Sequence, residues 1–258
     1  LGLTQIAGDA QSAALGAGGE RASLGLSALA DPAPAPARSS GLFHVAWLHP
    51  SRAALADTVK RIIAAGWPIQ GASDHGVSEA LYLADPDGLG IEIYADRPRE
   101  RWPRPPSGAG VDMVTQALDV ERLLAEAAPE PGAAIDAGTV VGHVHLQVSD
   151  VARARDFYRD VLGFAEQARM PSAAFLAAGG YHHHIGLNSW HSAGAGPAPE
   201  NAPGLRQITF ELSSAGALEQ LRGRLAAEGG ALAVDHKPGR LSLSDPDANK
   251  LAFTAPDA

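Results

Sequence analysis

Residues 85–95 read DPDGLGIEIYA and residues 245–255 read DPDANKLAFTA. Each is an Asp-Pro-Asp turn feeding a strand, because Asp and Pro preset a tight turn and the apolar residues that follow alternate with a period of two. A turn-and-strand piece that recurs in one chain points to a repeated unit, so internal comparison comes before any single helix or strand.

Outward from 85–95, the unit begins at Gly41 with the alternating stretch LFHVAWLHP. A helix follows at SRAALADTVKRIIAAGW, with Ser51 as its N-cap and Leu55, Val59, Ile62 and Ile63 on one stripe. Strand patterns then come at PIQGASDHG, SEALYLADPDG and LGIEIYAD. A second copy starts at Val141 with VGHVHLQV. Its helix SDVARARDFYRDVLG has Val151, Ala154, Tyr158 and Val161 on the apolar side, and its strands are FAEQARMP, SAAFLAAGG and YHHHIGLNSW. The last copy starts near Leu205 with LRQITFEL, then the helix SSAGALEQLRGRLAAEGG and the strands ALAVDHKP, RLSLSDPDA and NKLAFTA. The opening LGL at Leu1 matches LGF at Leu162, so TQIAGDA, SAALGAGG and RASLGLSAL read as the back half of a further copy. Its first strand and helix, roughly 20 residues by comparison with the other copies, are expected upstream.

The expected fold is therefore α+β. It has four βαβββ modules, the first incomplete at its N-terminus, forming curved mixed sheets with helices on their outer faces. The expected boundaries are 1–34, 41–96, 140–196 and 203–258 for the modules, with a linker at 97–139 that carries a short helix around DVERLLAEAA. DPAPAPARSS at 31–40 is a Pro-rich connector.

Composition narrows the chemistry. The chain has 258 residues, 45% of them hydrophobic, which is ample for a packed core. Twenty Lys+Arg against 29 Asp+Glu leave a net charge of −9, which argues against nucleic acid or an anionic membrane as partner. The absence of cysteine excludes disulfides, thiolate metal sites and cysteine nucleophiles. No apolar run approaches the roughly 18 residues a membrane span needs. LGLTQIAGDA has no signal-peptide pattern, so a cytoplasmic location is expected. Any metal must be held by His, Asp or Glu.

The ten histidines are His44, His49, His75, His143, His145, His182, His183, His184, His191 and His236, nine of them in the second and third modules. Strand alternation sorts them, since residues i and i+2 share a face. His44 lies opposite Phe43, Val45 and Trp47. His143, His145 and Gln147 lie opposite Val144, Leu146 and Val148. Glu92 and Tyr94 lie opposite Ile91 and Ile93, and Tyr82 lies opposite Leu81 and Leu83. In YHHHIGLNSW, His182, His184 and Asn188 take one face while His183, Ile185 and Leu187 take the other. Polar outward faces are ordinary on antiparallel sheets. Gathered round one cavity, however, two imidazoles and a carboxylate suit Fe(II), Mn(II) or Zn(II) and leave positions open for other ligands.

At GHVHLQVSDVARARDFYRDVLGF, GGYHHHIGLNSWHS, DHGVSEALYLADPDG and IEIYADRP, the sequence resembles the vicinal-oxygen-chelate superfamily. That superfamily comprises glyoxalase I, the bleomycin-resistance proteins and the type I extradiol dioxygenases, and the resemblance is strongest to the bacterial catechol 2,3-dioxygenase-like group. It implies a ring-cleaving dioxygenase of aromatic-compound breakdown, acting on a catechol-type diol with O2. The metal it implies is Fe(II), with Mn(II) as the other candidate. It places the ligands at His44, Glu92 and His143, because the fourth module has no His on its first strand and carries Ala252 where Glu92's counterpart would stand. The acid–base histidine falls in the HH pair on His184, with His182 as its rival. His75 and Tyr82 take the positions that orient the diol. His145, His182, His183 and Asn188 are expected to touch substrate, and His145 is also a rival ligand. The resemblance leaves open whether modules two and three pair within one chain or across a homodimer.

Two other functions share this fold. A glyoxalase-like isomerase or lyase needs two carboxylates among its ligands, and only Glu92 has the setting for one. A metal-free drug-binding module relies on aromatic stacking, which 5% aromatic residues disfavour.

Overall fold

The period-two runs form strands and the capped 3.6-period runs form helices, giving an α+β fold of mixed sheets. The computed structural model describes residues 1–34, 36–227, 235–237 and 239–256. The chain forms two compact units: Leu1–Pro32 with Phe43–His145, and Ala33–Leu42 with Leu146–Ala258.

In the first unit, β1 (Thr4–Gly8), β2 (Ser12–Gly16) and β3 (Leu24–Ser27) make an antiparallel meander. Next come β4 (Gly41–His49), α1 (Arg52–Ala64), β5 (Gly71–Asp74), β6 (Ser78–Ala84) and β7 (Gly90–Asp96). β8 (Gln116–Ala117), α2 (Val120–Leu124) and β9 (Val140–Gln147) follow. The strand order is β9-β4-β7-β6-β5-β8, with β4 parallel to β7 and the β7-β6-β5-β8 run antiparallel. The Ser51 side chain caps α1 by accepting from the Ala54 N–H at 3.1 Å. Leu55, Val59 and Ile62 bury against Trp47, Leu81, Leu83, Ile93 and Ala95, one set of alternate strand residues. Each such side chain stabilises the fold by about 1.5–3 kcal/mol. Ile63, expected on the same stripe, is instead half exposed, since it lies at the stripe's edge next to the end of the helix. The opposite face of the sheet carries Ala46, Ala80 and Tyr94, with Leu48 and Tyr82 beside them.

The turn between β6 and β7 is made by Asp85. Its Oδ1 accepts from the N–H groups of Asp87 and Leu89 at 2.9 and 2.8 Å, while Gly88 supplies the left-handed step at φ +85°.

In the second unit, Asp150 caps α3 (Val151–Asp156), which runs into a π-turn at Phe157–Val161. The wider turn breaks the expected helical stripe: Ala154 and Tyr158 are buried while Val151 and Val161 are only partly so. β10 (Ala165–Met170), β11 (Ala173–Ala177) and β12 (Ile185–Asn188) form an antiparallel meander. β13 (Ile208–Glu211), α4 (Ala215–Ala227), β14 (Asp235–Lys237), β15 (Arg240–Ser244) and β16 (Lys250–Thr254) follow, in the order β13-β16-β15-β14 with β13 parallel to β16. This repeats the β4-β7-β6-β5 arrangement. Of the strand expected at ALAVDHKP, residues 231–234 and 238 lie outside the described residues. Asp245 repeats the role of Asp85, accepting from the N–H groups of Asp247 and Asn249 at 2.9 Å each, but Ala248 takes the left-handed position at φ +66°.

One expectation fails on local structure. YHHHIGLNSW is not a continuous strand. β12 starts at Ile185, and residues 182–184 lie outside it with bends at 182 and 184, the His184 N–H donating to the Leu176 carbonyl at 2.8 Å. Two-residue alternation therefore does not apply to the three histidines. His182 and His183 are both buried and His184 is partly exposed, so the face assigned to His184 by alternation has no basis.

Candidate metal centre

Three neighbouring strands of the first unit each present one buried polar side chain: His143 from β9, His44 from β4 and Glu92 from β7. Glu92 pairs across the parallel ladder with Ala46, and His44 pairs with Gly90. Glu92 Oε2 lies 2.9 Å from His44 Nε2 and 3.2 Å from His143 Nε2. One potential ligand atom from each of the three residues falls within 4.8 Å of the others.

Burial alone would raise the pKa of Glu92, but the facing His143 and His44 hold it well below the usual carboxylate range. The site is thus a buried carboxylate oxygen with two imidazole nitrogens turned onto it. Of these, His44 Nε2 makes no aligned hydrogen bond. A buried anion and an imidazole nitrogen without a hydrogen-bond partner are both expensive, and a divalent cation satisfies both. The donor set fits such an ion, with three protein ligands and open positions.

Tyr82 on β6 stands directly across the antiparallel ladder from Glu92, and its ring lies 5.8 Å from that of His44. The Val114 carbonyl lies 2.8 Å from His75 Nδ1, so that nitrogen carries the proton. His75 Nε2 is left to accept from the Tyr82 hydroxyl at 2.7 Å. Burial, followed by the charge of Glu92, pushes the Tyr82 phenol well above its ordinary value, so it stays protonated. Arg97 ties Asp74, beside His75, to Glu79, with contacts of 2.5 and 3.2 Å that hold the β5–β6 turn.

His145 is buried and meets His44 edge-on, with ring centroids 5.0 Å apart, but it is outside the trio whose ligand atoms converge. In the second unit, the Nδ1 atoms of His182 and His183 lie 2.8 Å apart. Tyr181 packs on the rings of His182 and His184 at 4.1 and 4.9 Å. Asn188 is buried and accepts from the Trp190 N–H at 3.2 Å. The β13-β16 ladder places Thr209 opposite Ala252, as Ala46 stands opposite Glu92. No carboxylate or imidazole is available at that counterpart of Glu92.

Sequence reasoning missed Val114, whose carbonyl sets the His75 tautomer from within a linker that has no pattern to read. It also gave no role to Tyr94, although the alternation had put it on Glu92's face.

A family model described as Glyoxalase/Bleomycin resistance protein/Dioxygenase superfamily matches residues 2–93 and 140–253. The chain belongs to this superfamily. Both matched stretches include residues of the converging trio, His44 and Glu92 in the first and His143 in the second. Within the superfamily, a Bacillus subtilis (strain 168) protein named catechol-2,3-dioxygenase is 44% identical over 240 residues, covering 92% of this chain and 82% of its own. Solved structures also share the fold, among them the following two. One, described as a candidate dioxygenase from Bacillus subtilis, has a TM-score of 0.61 at 13% identity, over 95% of this chain and 72% of its own. A glyoxalase I variant from Zea mays has a TM-score of 0.53 at 18% identity, over 95% of this chain and 79% of its own.

Proposed function

We propose that the chain is a metal-dependent extradiol dioxygenase that opens a catechol-type ring with O2, and that His44, Glu92 and His143 hold Fe(II), with Mn(II) as the alternative ion. The observation that carries this reading is the convergence of two imidazole nitrogens on one buried carboxylate oxygen. The relative named catechol-2,3-dioxygenase supports it. A divalent cation held there supplies the positive charge that lowers a diol hydroxyl's pKa and open positions for diol and oxygen.

The protein's own part is positioning and proton control. Glu92 stays ionised, so it offers anionic charge at the centre without first losing a proton. The Tyr82 hydroxyl, backed by His75 and with no tendency to ionise, orients a bound diol by hydrogen bonding. His145, edge-on to His44, limits the space on that side of the ligand set. The acid–base role is proposed for His184, and substrate contacts for His182, His183 and Asn188, on the family resemblance alone. A glyoxalase-like isomerase is the weaker reading, since the converging trio contains one carboxylate.

The test is oxygen uptake after anaerobic loading with Fe(II). Catechol should drive oxygen consumption and give a ring-opened product that absorbs visible light. Metal-loaded protein that consumes no oxygen with any catechol would sink the proposal.

A further inference from the structure

Tyr94 lies two residues beyond Glu92 on β7 and has no role in the mechanism above. It is fully buried, and its ring is 4.9 Å from the His143 imidazole at a tilt of 51°. Its close neighbours are the small Ala46 and Ala80, which leave the phenol room to extend across the sheet. It ends at Gly142, the residue before His143. A Cβ on Gly142 would overlap the Tyr94 hydroxyl and come within 2.9 Å of both Tyr94 Cζ and Leu48 Cβ. Gly142 is not among the glycines with positive φ, so backbone freedom does not demand glycine here. Space does.

We infer that Tyr94 is a positioning residue for the metal centre. Seated in the notch at Gly142, its ring limits rotation of the His143 imidazole and keeps Nε2 turned toward Glu92. An aromatic pair of this geometry favours one ring orientation modestly. Hydrogen-bonding partners that orient a ligating histidine typically change metal affinity by about 10–100-fold when removed, and a ring contact acts at the lower end of that range. The inference rests on the metal-centre reading.

The test titrates the purified chain with Mn(II), and separately records the visible spectrum of bound Co(II), with fold followed by circular dichroism. Tyr94→Leu should stay folded, weaken Mn(II) binding about tenfold and shift the Co(II) bands, because the imidazole turns. Gly142→Ala should weaken binding similarly by displacing the phenol. Adding Tyr94→Phe to Gly142→Ala removes the atom that the new Cβ overlaps and should recover part of the loss. Tyr94→Phe alone, which keeps the ring, should bind like the wild type. Unchanged Mn(II) affinity and Co(II) spectrum in folded Tyr94→Leu would overturn the inference. If Tyr94→Leu does not fold, failure of Tyr94→Phe to rescue Gly142→Ala would overturn it instead. A wild type that binds Mn(II) but turns over no catechol would refute the dioxygenase reading and leave this one standing. A wild type that binds none of Mn(II), Fe(II) and Co(II) refutes both.

Discussion

His49, at the end of β4, should make the protein sensitive to mild acid. The ring is buried, and its Nδ1 lies 3.2 and 3.3 Å from the carbonyls of Trp47 and Tyr94. Carbonyls only accept, so Nδ1 carries the proton and Nε2 accepts from the Thr58 hydroxyl at 2.9 Å. Thr58 Oγ1 in turn accepts from Arg61 Nη2 at 2.6 Å. The neutral imidazole is therefore fully satisfied, and a second proton would force the Thr58 bond to reverse and bury a charge near Arg61. Burial is the main cause that pushes the His49 pKa from 6.5 down to about 4, with the Arg61 charge adding to it. In the unfolded chain His49 takes up its proton near 6.5, so between these values the unfolded state binds more protons. Stability from this group is full above about pH 6.5 and is lost as pH falls toward about 4. At about 1.4 kcal/mol per pKa unit, that loss comes to about 3 kcal/mol. The assay is urea unfolding at pH 7, 6, 5 and 4 for wild type and His49→Gln, which keeps a donor and an acceptor but does not titrate. Other groups titrate in both proteins, so the difference between the two curves isolates His49. It should narrow by about 3 kcal/mol between pH 7 and pH 4, in the variant's favour. Parallel curves would refute the reasoning.

Other expectations concern the turns and the site. Ala248 holds a left-handed conformation that costs an alanine about 1–2 kcal/mol, so Ala248→Gly should raise stability by about 0.5–1 kcal/mol after glycine's own entropy cost. Gly88→Ala, at the matching turn, should lower it by a similar amount, and both are read from chemical denaturation midpoints. Glu92→Ala should abolish retention of Fe(II) or Mn(II) through gel filtration, whereas Gln207→Ala should leave the metal content unchanged. Tyr82→Phe should leave Mn(II) affinity near that of the wild type and lower catechol turnover by up to about 100-fold, the scale of a lost positioning contact, which steady-state oxygen uptake will show. Unaltered turnover would remove Tyr82 from the mechanism.

Much of the fold was legible because its determinants are local. The two Asp-Pro-Asp turns, the Ser51 cap and the alternation in 42–50 and 89–96 involve neighbours in sequence, and each forms the element its pattern implies. Reading failed where a local rule met a different backbone. The π-turn at 157–161 altered the helical period, and the bends at 182 and 184 removed the alternation on which the face of His184 had been argued. For Ile63, the stripe was right and its edge was not.

The sequence by itself determined that any metal would be held by imidazole and carboxylate, and that Ala252 leaves the last module without a counterpart of Glu92. Within the strands that formed, it also determined which alternate residues share a face, because pleating and side-chain chemistry are set residue by residue. Tertiary structure decided what those residues do together. The β9-β4-β7 order brings His143, His44 and Glu92 from far apart in the chain to within 4.8 Å. The Val114 carbonyl sets the His75 tautomer, and a missing Cβ at Gly142 makes room for Tyr94. Such relations depend on distances between strands, and spacing along the chain does not encode those distances.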